Sequence, residues 1–402
     1  MPRSRKPASN RGPARRSRGG RGLLISLLLG VTAAGIWWWI RSREPAPVPS
    51  ASPTGNPAVG APPSARLAPQ IAAPEPSATF APVTAHPLPP SVPVPAPDLP
   101  TAPLSPPIPE PARPMPFLPR IATNMLEVQI VLARHGIGSG SIDGVGGAQT
   151  EAALRAFQYQ QGLDESGRLD RDTARALQLE RPPLQRHQVT AEDAAPGTPV
   201  PDTWLAKSRL KRLDYASPLE RLAERTHAHP KLLRRLNPGV DWDSLVPGTR
   251  IEVPDAAYPP PRRAALIRIS LAGRYLRAYD DEGHLLVHFP VSIGRLASKR
   301  PVGSLSVVVV IKDPDYTFNP EVFPESEEGR RLGRRLLLPP GPNNPVGVAW
   351  IGLSRPGYGI HGTPSPEQVG RTESHGCFRL ANWDADHLRR MVLVGTRVNV
   401  EP

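Results

Sequence analysis

The sequence predicts a multidomain protein whose C-terminal domain is mostly β, with two small helix-containing modules, a disordered linker and a transmembrane helix before it. Three observations lead to this prediction. Residues 23–40 are apolar and uncharged, residues 41–120 are rich in proline, and residues 263–402 contain short alternating runs separated by turn residues. A chain of 402 residues has room for two or three domains. Its 55 prolines exceed the usual proportion in packed domains.

The first predicted element is the apolar run at 23–40, LLISLLLGVTAAGIWWWI. As a helix it would span about 27 Å, close to the hydrocarbon thickness of a bilayer. The basic tail at 1–22 contains no acidic residue, which places the N-terminus in the cytoplasm. A cleaved signal peptide is the alternative, but bulky tryptophans and Arg41 occupy the expected cleavage region. We therefore expect an uncleaved, single-pass inner-membrane anchor with the folded domains in the periplasm.

The net charge of +13 by itself points to an anionic partner such as nucleic acid. Membrane topology already explains the basic tail, so we expect no nucleic-acid partner.

The linker at 41–120 combines proline with Ala, Val and Ser. This composition cannot bury a core and favours an extended polyproline II conformation. We expect a disordered spacer through which a membrane-tethered protein reaches away from the bilayer.

Residues 121–180 predict a small bundle of three helices. Apolar residues dominate 124–135, a second helix is expected from Thr150 to Gly162, and Asp170 can cap a third helix that runs to Leu177. The segment GSIDGVGGAQTEAALRAFQYQQGL, followed by GRLDRDTARAL, resembles the peptidoglycan-binding module of wall enzymes. The resemblance implies binding to cell-wall glycopeptide. A helical bundle without a ligand is the alternative.

A second linker is expected at 181–204, and a second module at 205–255. Ser217 can cap a helix with Pro218 at its first position and Glu220 three residues after the cap. A second helix should end near Asn237, and a short strand should begin at Arg250. The pattern LNPG followed by PGTRIEVP resembles a LysM-like module, which implies binding to glycan strands. The alternative is a packing domain that braces the domain after it.

Residues 263–402 contain several alternating runs that predict strands, with helices around 320–335 and 384–392. Many short strands with few helices indicate a mostly β sandwich or barrel.

The single cysteine of the chain, Cys377, lies two residues after His375 and sixteen after His361. A lone thiol with histidines nearby in sequence is a candidate nucleophile, because an imidazole can remove the thiol proton. From residue types alone, a turn without catalytic function is equally compatible with this stretch.

The motif SHGCFR at 374–379, preceded by GYGIHGT at 357–363 and FPVSIG at 289–294, resembles the L,D-transpeptidase (YkuD-type) catalytic domain. This resemblance implies an L,D-transpeptidase-like β-sandwich over 263–402. It assigns Cys377 as nucleophile and His361 as general base, oriented by the Gly362 carbonyl. The backbone N–H groups of His375, Gly376 and Cys377 would form the oxyanion hole. Whether His375 also tunes the thiol stays open.

The resemblance also implies a substrate and a reaction. Cys377 would cleave the bond between meso-diaminopimelate and D-Ala in a peptidoglycan stem tetrapeptide, with no metal and no organic cofactor. Arg379 would bind a substrate carboxylate, or else form a structural salt bridge. The acceptor could be a second stem peptide, giving a 3–3 cross-link, or the lysine of a wall-anchored protein. With water the enzyme would be an L,D-carboxypeptidase or a hydrolase of wall-linked protein. A non-catalytic membrane-to-wall tether is the alternative of another class.

Overall fold

A computed structural model describes residues 116–374 and 376–402. The predicted tail, the predicted anchor and nearly all of the proline-rich linker lie outside the described residues, and so does His375. Among the helices that are described, none has both the length and the apolar character needed to cross a membrane.

The first module is a small bundle closed by a two-stranded sheet. Its elements are β1 (Arg120–Ile121), α1 (Met125–Arg134), α2 (Ala148–Gln161), α3 (Arg171–Ala176) and β2 (Gln178–Leu179). The predicted Asp170 cap is confirmed, since its side chain accepts from Thr173 N. Asn124, which was not predicted as a cap, caps α1 by accepting from Glu127 N. Helix α2 begins two residues before the predicted Thr150. Its N-cap is Gly147, which has no side chain with which to mark the start.

The second module begins earlier than predicted. Its elements are β3 (Leu184–Gln188), α4 (Trp204–Lys207), α5 (Pro218–Arg225), α6 (Pro230–Leu236) and β4 (Arg250–Pro254). Strand β3 lies within the expected linker at 181–204 and pairs antiparallel with β4. The linker expectation is therefore wrong for this part of the segment. Most residues of β3 are exposed and polar, so the strand has no hydrophobic pattern from which to predict it.

The C-terminal domain contains the strands β5 (Leu266–Ser270), β6 (Tyr275–Tyr279), β7 (Leu285–Pro290), β8 (Gly303–Lys312), β9 (Tyr316–Phe318), β10 (Leu336–Leu338), β11 (Ala349–Leu353), β12 (Gly359–His361), β13 (Phe378–Arg379) and β14 (Arg397–Glu401). Eight of them form one sheet with the order β13-β12-β11-β8-β14-β5-β6-β7. The α-helices of the domain are α7 (Glu327–Leu332) and α8 (Asn382–Met391), and its 3₁₀ turns are Ala297–Lys299, Pro320–Val322 and Pro366–Gln368.

The sheet curls until its two ends meet. Ser292, just after β7, exchanges both backbone hydrogen bonds with Arg379 of β13, at 2.9 and 3.0 Å. The predicted sandwich is thus a single curled sheet, because alternation along a strand does not show which strands share a sheet. Buried side chains of the sheet pack with Ala385, Leu388 and Met391 of α8 to form the core.

A small hairpin of β9 and β10, with α7 between them in sequence, extends from this sheet. The helix expected at 320–335 is wrong in extent, because only a 3₁₀ turn and the six residues of α7 are helical. Pro324 separates these two pieces, since proline removes a helical hydrogen bond and clashes with the preceding turn. The second module covers the hairpin, with Leu213 packed against Phe318, Leu336 and Leu338.

Candidate active site

Two short parallel strands bring the predicted base and nucleophile together. Strands β12 and β13 pair so that Ile360 lies opposite Phe378 and His361 lies opposite Arg379. Ile360 and Phe378 are fully buried in the core. Because side chains alternate along a strand, His361, Arg379 and Cys377, which directly precedes β13, lie on the opposite face.

That face opens into a cavity of about 670 Å³. His361, Cys377 and Arg379 all contribute to its wall. The remaining wall is largely aromatic and includes Trp204, Tyr316, Phe323, Trp350 and Tyr358. Trp204 belongs to α4 of the second module and stacks on Phe318 of the hairpin, with ring centroids 4.4 Å apart. The wall of the cavity is therefore formed both by the C-terminal domain and by Trp204 of the second module.

The His361 side chain is buried, and its ring is fixed on both sides. Its Nδ1 lies 2.7 Å from the Gly362 carbonyl oxygen, and its ring stacks on Trp350. A carbonyl only accepts, so Nδ1 carries the proton and Nε2 is left as an acceptor. Burial lowers the pKa of His361 to about 4, against the opposing effect of the Gly362 carbonyl and with a contribution from the Arg379 charge. At neutral pH the ring is uncharged and can take a proton.

The Cys377 side chain is a thiol in its resting state. Burial raises the pKa of Cys377, although the Gly359 N–H and the Arg379 charge favour the thiolate. Its Sγ lies 3.5 Å from the Gly357 carbonyl oxygen, to which the thiol can donate. A half-buried thiol with a raised pKa needs a base to become a nucleophile, and His361 lines the same cavity.

The turn before the nucleophile is held by Ser374. Its hydroxyl donates to the Cys377 carbonyl at 2.6 Å and accepts from the Gly376 N–H at 3.1 Å. Gly376 has φ of +155°, which favours glycine. Of the predicted oxyanion donors, the Gly376 N–H is therefore engaged by Ser374. The third predicted donor, His375, lies outside the described residues.

Arg379 lies between the first cavity and a second one of about 440 Å³. Its Nη1 donates to the Glu373 carbonyl oxygen, and burial lowers the pKa of the guanidinium. No carboxylate of residues 116–374 or 376–402 lies within ion-pair distance of it. Arg379 therefore forms no structural salt bridge, the alternative role for it, within the described part of the chain.

The sequence reasoning missed Asn382, which supports the loop that follows His361. The Asn382 Oδ1 accepts from the Thr363 N–H, and its Nδ2 donates to Glu224 of the second module. The only feature of the local sequence that could have indicated a role for Asn382 is its position just after the SHGCFR motif. The contact to Glu224 spans 158 residues and leaves no local signal.

No group of three His, Cys, Asp or Glu side chains suited to a metal ion occurs among the described residues.

Comparison with known proteins identifies the domain that carries this site. The L,D-transpeptidase catalytic domain family matches residues 264–400. The Bacillus licheniformis protein named L,D-transpeptidase YkuD is 30% identical over 186 residues, which cover 46% of this chain and 93% of that protein. The chain belongs to the L,D-transpeptidase family. The predicted YkuD-type catalytic domain is confirmed.

Other relatives agree with this assignment. The L,D-transpeptidase ErfK/SrfK of Escherichia coli K12 is 30% identical over 185 residues, covering 46% of this L,D-transpeptidase and 59% of its relative. An L,D-transpeptidase structure from Mycobacterium smegmatis is 20% identical, with 39% and 65% coverage and a TM-score of 0.28. One from Xylanimonas cellulosilytica is 17% identical, with 70% and 94% coverage and a TM-score of 0.31. These structural likenesses are too distant to add to the assignment.

The peptidoglycan-binding domain family matches residues 122–177, which confirms the first predicted module.

Proposed function

We propose that this L,D-transpeptidase uses Cys377 to cleave the meso-diaminopimelate–D-Ala bond of a stem tetrapeptide and transfers the acyl group to an amine. The observation that carries the proposal is the pairing of β12 with β13. It places a neutral, oriented His361 and a protonated Cys377 thiol on one wall of one cavity. Such a base and nucleophile are what cysteine acyl transfer requires.

The first step forms the acyl-enzyme. His361 Nε2 accepts the thiol proton while the sulfur attacks the diaminopimelate carbonyl carbon, and the carbonyl oxygen becomes an oxyanion. The C–N bond to D-Ala then breaks, and the amine leaves with the proton from His361. In the second step the acceptor amine attacks the thioester, gives its proton to His361 and releases the Cys377 sulfur.

The oxyanion would be stabilised by the backbone N–H groups of His375, Gly376 and Cys377. Support comes from the position of Gly376 and Cys377 at the turn beside the cavity. For Gly376 this role requires its N–H to exchange the Ser374 hydroxyl for the substrate oxygen.

Arg379 would bind a carboxylate of the donor peptide. Its support is a half-buried guanidinium without a carboxylate partner among the described residues, which lines the cavity of the nucleophile. Carboxylate and guanidinium form strong, often bidentate, charge-assisted hydrogen bonds.

The acceptor is proposed to be an amine of a second stem peptide, giving a 3–3 cross-link. The second cavity shares Trp204, Pro345 and Arg379 with the first. Its charged wall residues are Lys207 and Arg379, both cations. A carboxylate-bearing peptide fits this wall better than water does. Transfer to the lysine of a wall-anchored protein and hydrolysis are the other outcomes that an experiment distinguishes.

The remaining chain is proposed to hold the enzyme between membrane and wall. The apolar run at 23–40 would anchor it in the inner membrane with the catalytic domain in the periplasm, and the linker would supply reach. The peptidoglycan-binding module would dock on the wall. We further propose that residues 205–255 are LysM-like and bind glycan strands, which is supported by the order of α5, α6 and β4.

The reaction is tested by incubating the full-length protein with tetrapeptide-rich sacculi and analysing muropeptides by mass spectrometry. We expect 3–3 dimers from the wild type and none from Cys377→Ala. Free tripeptides without dimers would overturn the proposed acceptor in favour of water. Stems linked to protein would overturn it in favour of a lysine.

A further inference from the structure

We infer that Glu224, a residue of α5 outside the matched catalytic domain, is a positioning residue that holds His361 through Asn382. The inference rests on the proposed role of His361 as the base. It adds to the catalytic machinery a side chain from the second module.

The first link is the contact of Asn382 with the backbone after the base. Asn382 is buried, and its Oδ1 accepts from the Thr363 N–H at 3.0 Å and from the Val348 N–H at 3.4 Å. Its amide is wedged against Gly347 and Gly362, where an added side chain at either glycine would collide with Oδ1. The Gly362 carbonyl in turn holds His361 Nδ1. The position of the Asn382 amide therefore sets the position of the group that orients the base.

The second link is the contact that fixes the orientation of this amide. Asn382 Nδ2 donates to both carboxyl oxygens of Glu224, at 3.0 and 3.1 Å, and to the Pro342 carbonyl oxygen at 3.1 Å. On this side of the amide the Pro342 carbonyl and the unprotonated oxygen of Glu224 accept, and on the other side the Thr363 and Val348 N–H groups donate. The amide therefore has one satisfied orientation. Removing Glu224 removes an acceptor from a buried donor, which is costly in a dry interior.

The third link is the docking of α5 on the catalytic domain, which keeps Glu224 in place. Glu220, one turn before Glu224, accepts from Asn343 Nδ2 at 2.8 Å. Leu213 exchanges backbone hydrogen bonds with the same loop, donating to Pro340 and accepting from Asn343. The second module thus grips the 339–344 loop at several points, and Glu224 reaches past this loop to Asn382.

The charge state of Glu224 indicates which substitution should preserve the contact. Burial raises the pKa of Glu224 to about 8, with further increases from Glu220 and Glu367, against the opposing effect of the Asn382 amide. A protonated carboxyl offers one carbonyl acceptor, as a glutamine side chain does. At neutral pH a glutamine at position 224 should therefore preserve the hydrogen bond from Asn382. A methionine there fills similar space but offers no acceptor.

The test compares Glu224→Gln and Glu224→Met in the full-length protein. The probe is imipenem, a carbapenem whose strained β-lactam amide is opened by a thiol nucleophile to give a thioester. Its acylation of Cys377 is followed by mass spectrometry over a range of imipenem concentrations, at a temperature well below the lowest Tm of the variants. We expect Glu224→Met to lower the limiting acylation rate by about tenfold, the equivalent of roughly 1.4 kcal/mol, with the half-saturating concentration unchanged. We expect Glu224→Gln to retain the wild-type limiting rate within about twofold.

Gln160→Ala is the matched control. Gln160 of the first module donates to the Leu285 carbonyl of the catalytic sheet and does not contact the loop after His361. This variant should acylate at the wild-type rate. A wild-type rate for Glu224→Met, or equal losses in the Gln and Met variants, would overturn the inference. If His361→Ala also acylated normally, the proposed function itself would fail, so the two failures are distinguishable.

Discussion

His361 lies directly opposite Arg379 in the parallel pairing of β12 and β13, and the Leu380 N–H donates to the His361 carbonyl at 2.8 Å. The permanent charge of Arg379 therefore lies close to both titrating groups of the site. It helps to lower the pKa of His361 and favours the thiolate of Cys377. One residue thus shifts the pKa of both groups, and it also lines the cavity that contains them.

Replacing Arg379 should weaken binding of a carboxylate-bearing donor. Arg379→Gln removes the charge and the guanidinium fork, so we expect KM for a stem tetrapeptide to rise by roughly 30-fold or more, since losing one partner of a buried charged pair costs about 2 kcal/mol or more. Arg379→Lys keeps the charge without the fork and should lose less. Steady-state kinetics with D-Ala release as readout measures this. An unchanged KM in Arg379→Gln would remove Arg379 from substrate binding.

In the pH–rate profile of Cys377 acylation, the rate should fall with a midpoint near pH 4, rather than near the pKa of about 6.5 that is usual for histidine. Below a pKa of about 4 His361 is protonated and cannot accept the thiol proton. The rate of Cys377 acylation by imipenem should therefore be flat from neutrality to about pH 5 and fall below that. His361→Ala should lose at least about 100-fold at pH 7, a usual contribution of general base catalysis. A midpoint near 6.5 in the wild type, or normal acylation in the variant, contradicts this prediction.

The depressed pKa of His361 also affects stability. The folded protein binds fewer protons at this ring than the unfolded chain does between pH 6.5 and about 4. Its contribution to stability is therefore fully present above pH 6.5 and is lost as pH falls through 4. The difference in Tm between wild type and His361→Ala, recorded from pH 7 to 4, should shift in favour of the variant. No shift across this window would show that the ring is accessible to water.

Glu224 should have the opposite effect on stability. Its folded pKa of about 8 lies above the ordinary value of 4.5, so the folded state binds more protons across this window. Wild-type stability should therefore fall as pH rises from 4.5 to 8, whereas Glu224→Gln has no such group. By pH 8 we expect the Tm of Glu224→Gln to exceed that of the wild type by several degrees more than at pH 5. A constant difference would show that Glu224 is not buried as described.

Lys207 should act on the acceptor step alone. It lines the second cavity but not the cavity of the nucleophile. Lys207→Ala should leave the rate of Cys377 acylation unchanged and slow transfer to a stem-peptide amine by about threefold to fivefold, as expected for a partly exposed charge. Lys211→Ala, at an exposed position beyond α4, is the matched control. Equal effects of the two substitutions on transfer would contradict a binding role for Lys207.

Local features of this chain could be predicted from its sequence, and non-local ones could not. Asn124, Asp170 and Ser217 cap helices through contacts three residues away, so the caps are readable in the sequence. Strand β13 has only two residues and is defined by its partners, so no periodicity reveals it. The sequence motif was enough to predict Cys377 and His361 as site residues, and in the structure both line one cavity. Glu224 escaped prediction because its contact with Asn382 depends on how two separate parts of the chain dock.

The most direct test of the account is the release of D-Ala from a stem tetrapeptide, combined with intact-mass analysis of the protein. The wild type should release D-Ala and carry the remaining acyl group as a thioester on Cys377. Cys377→Ala should do neither, while it still sediments with isolated sacculi through its peptidoglycan-binding module. Release of D-Ala by Cys377→Ala at the wild-type rate would contradict the assignment of Cys377 as the nucleophile.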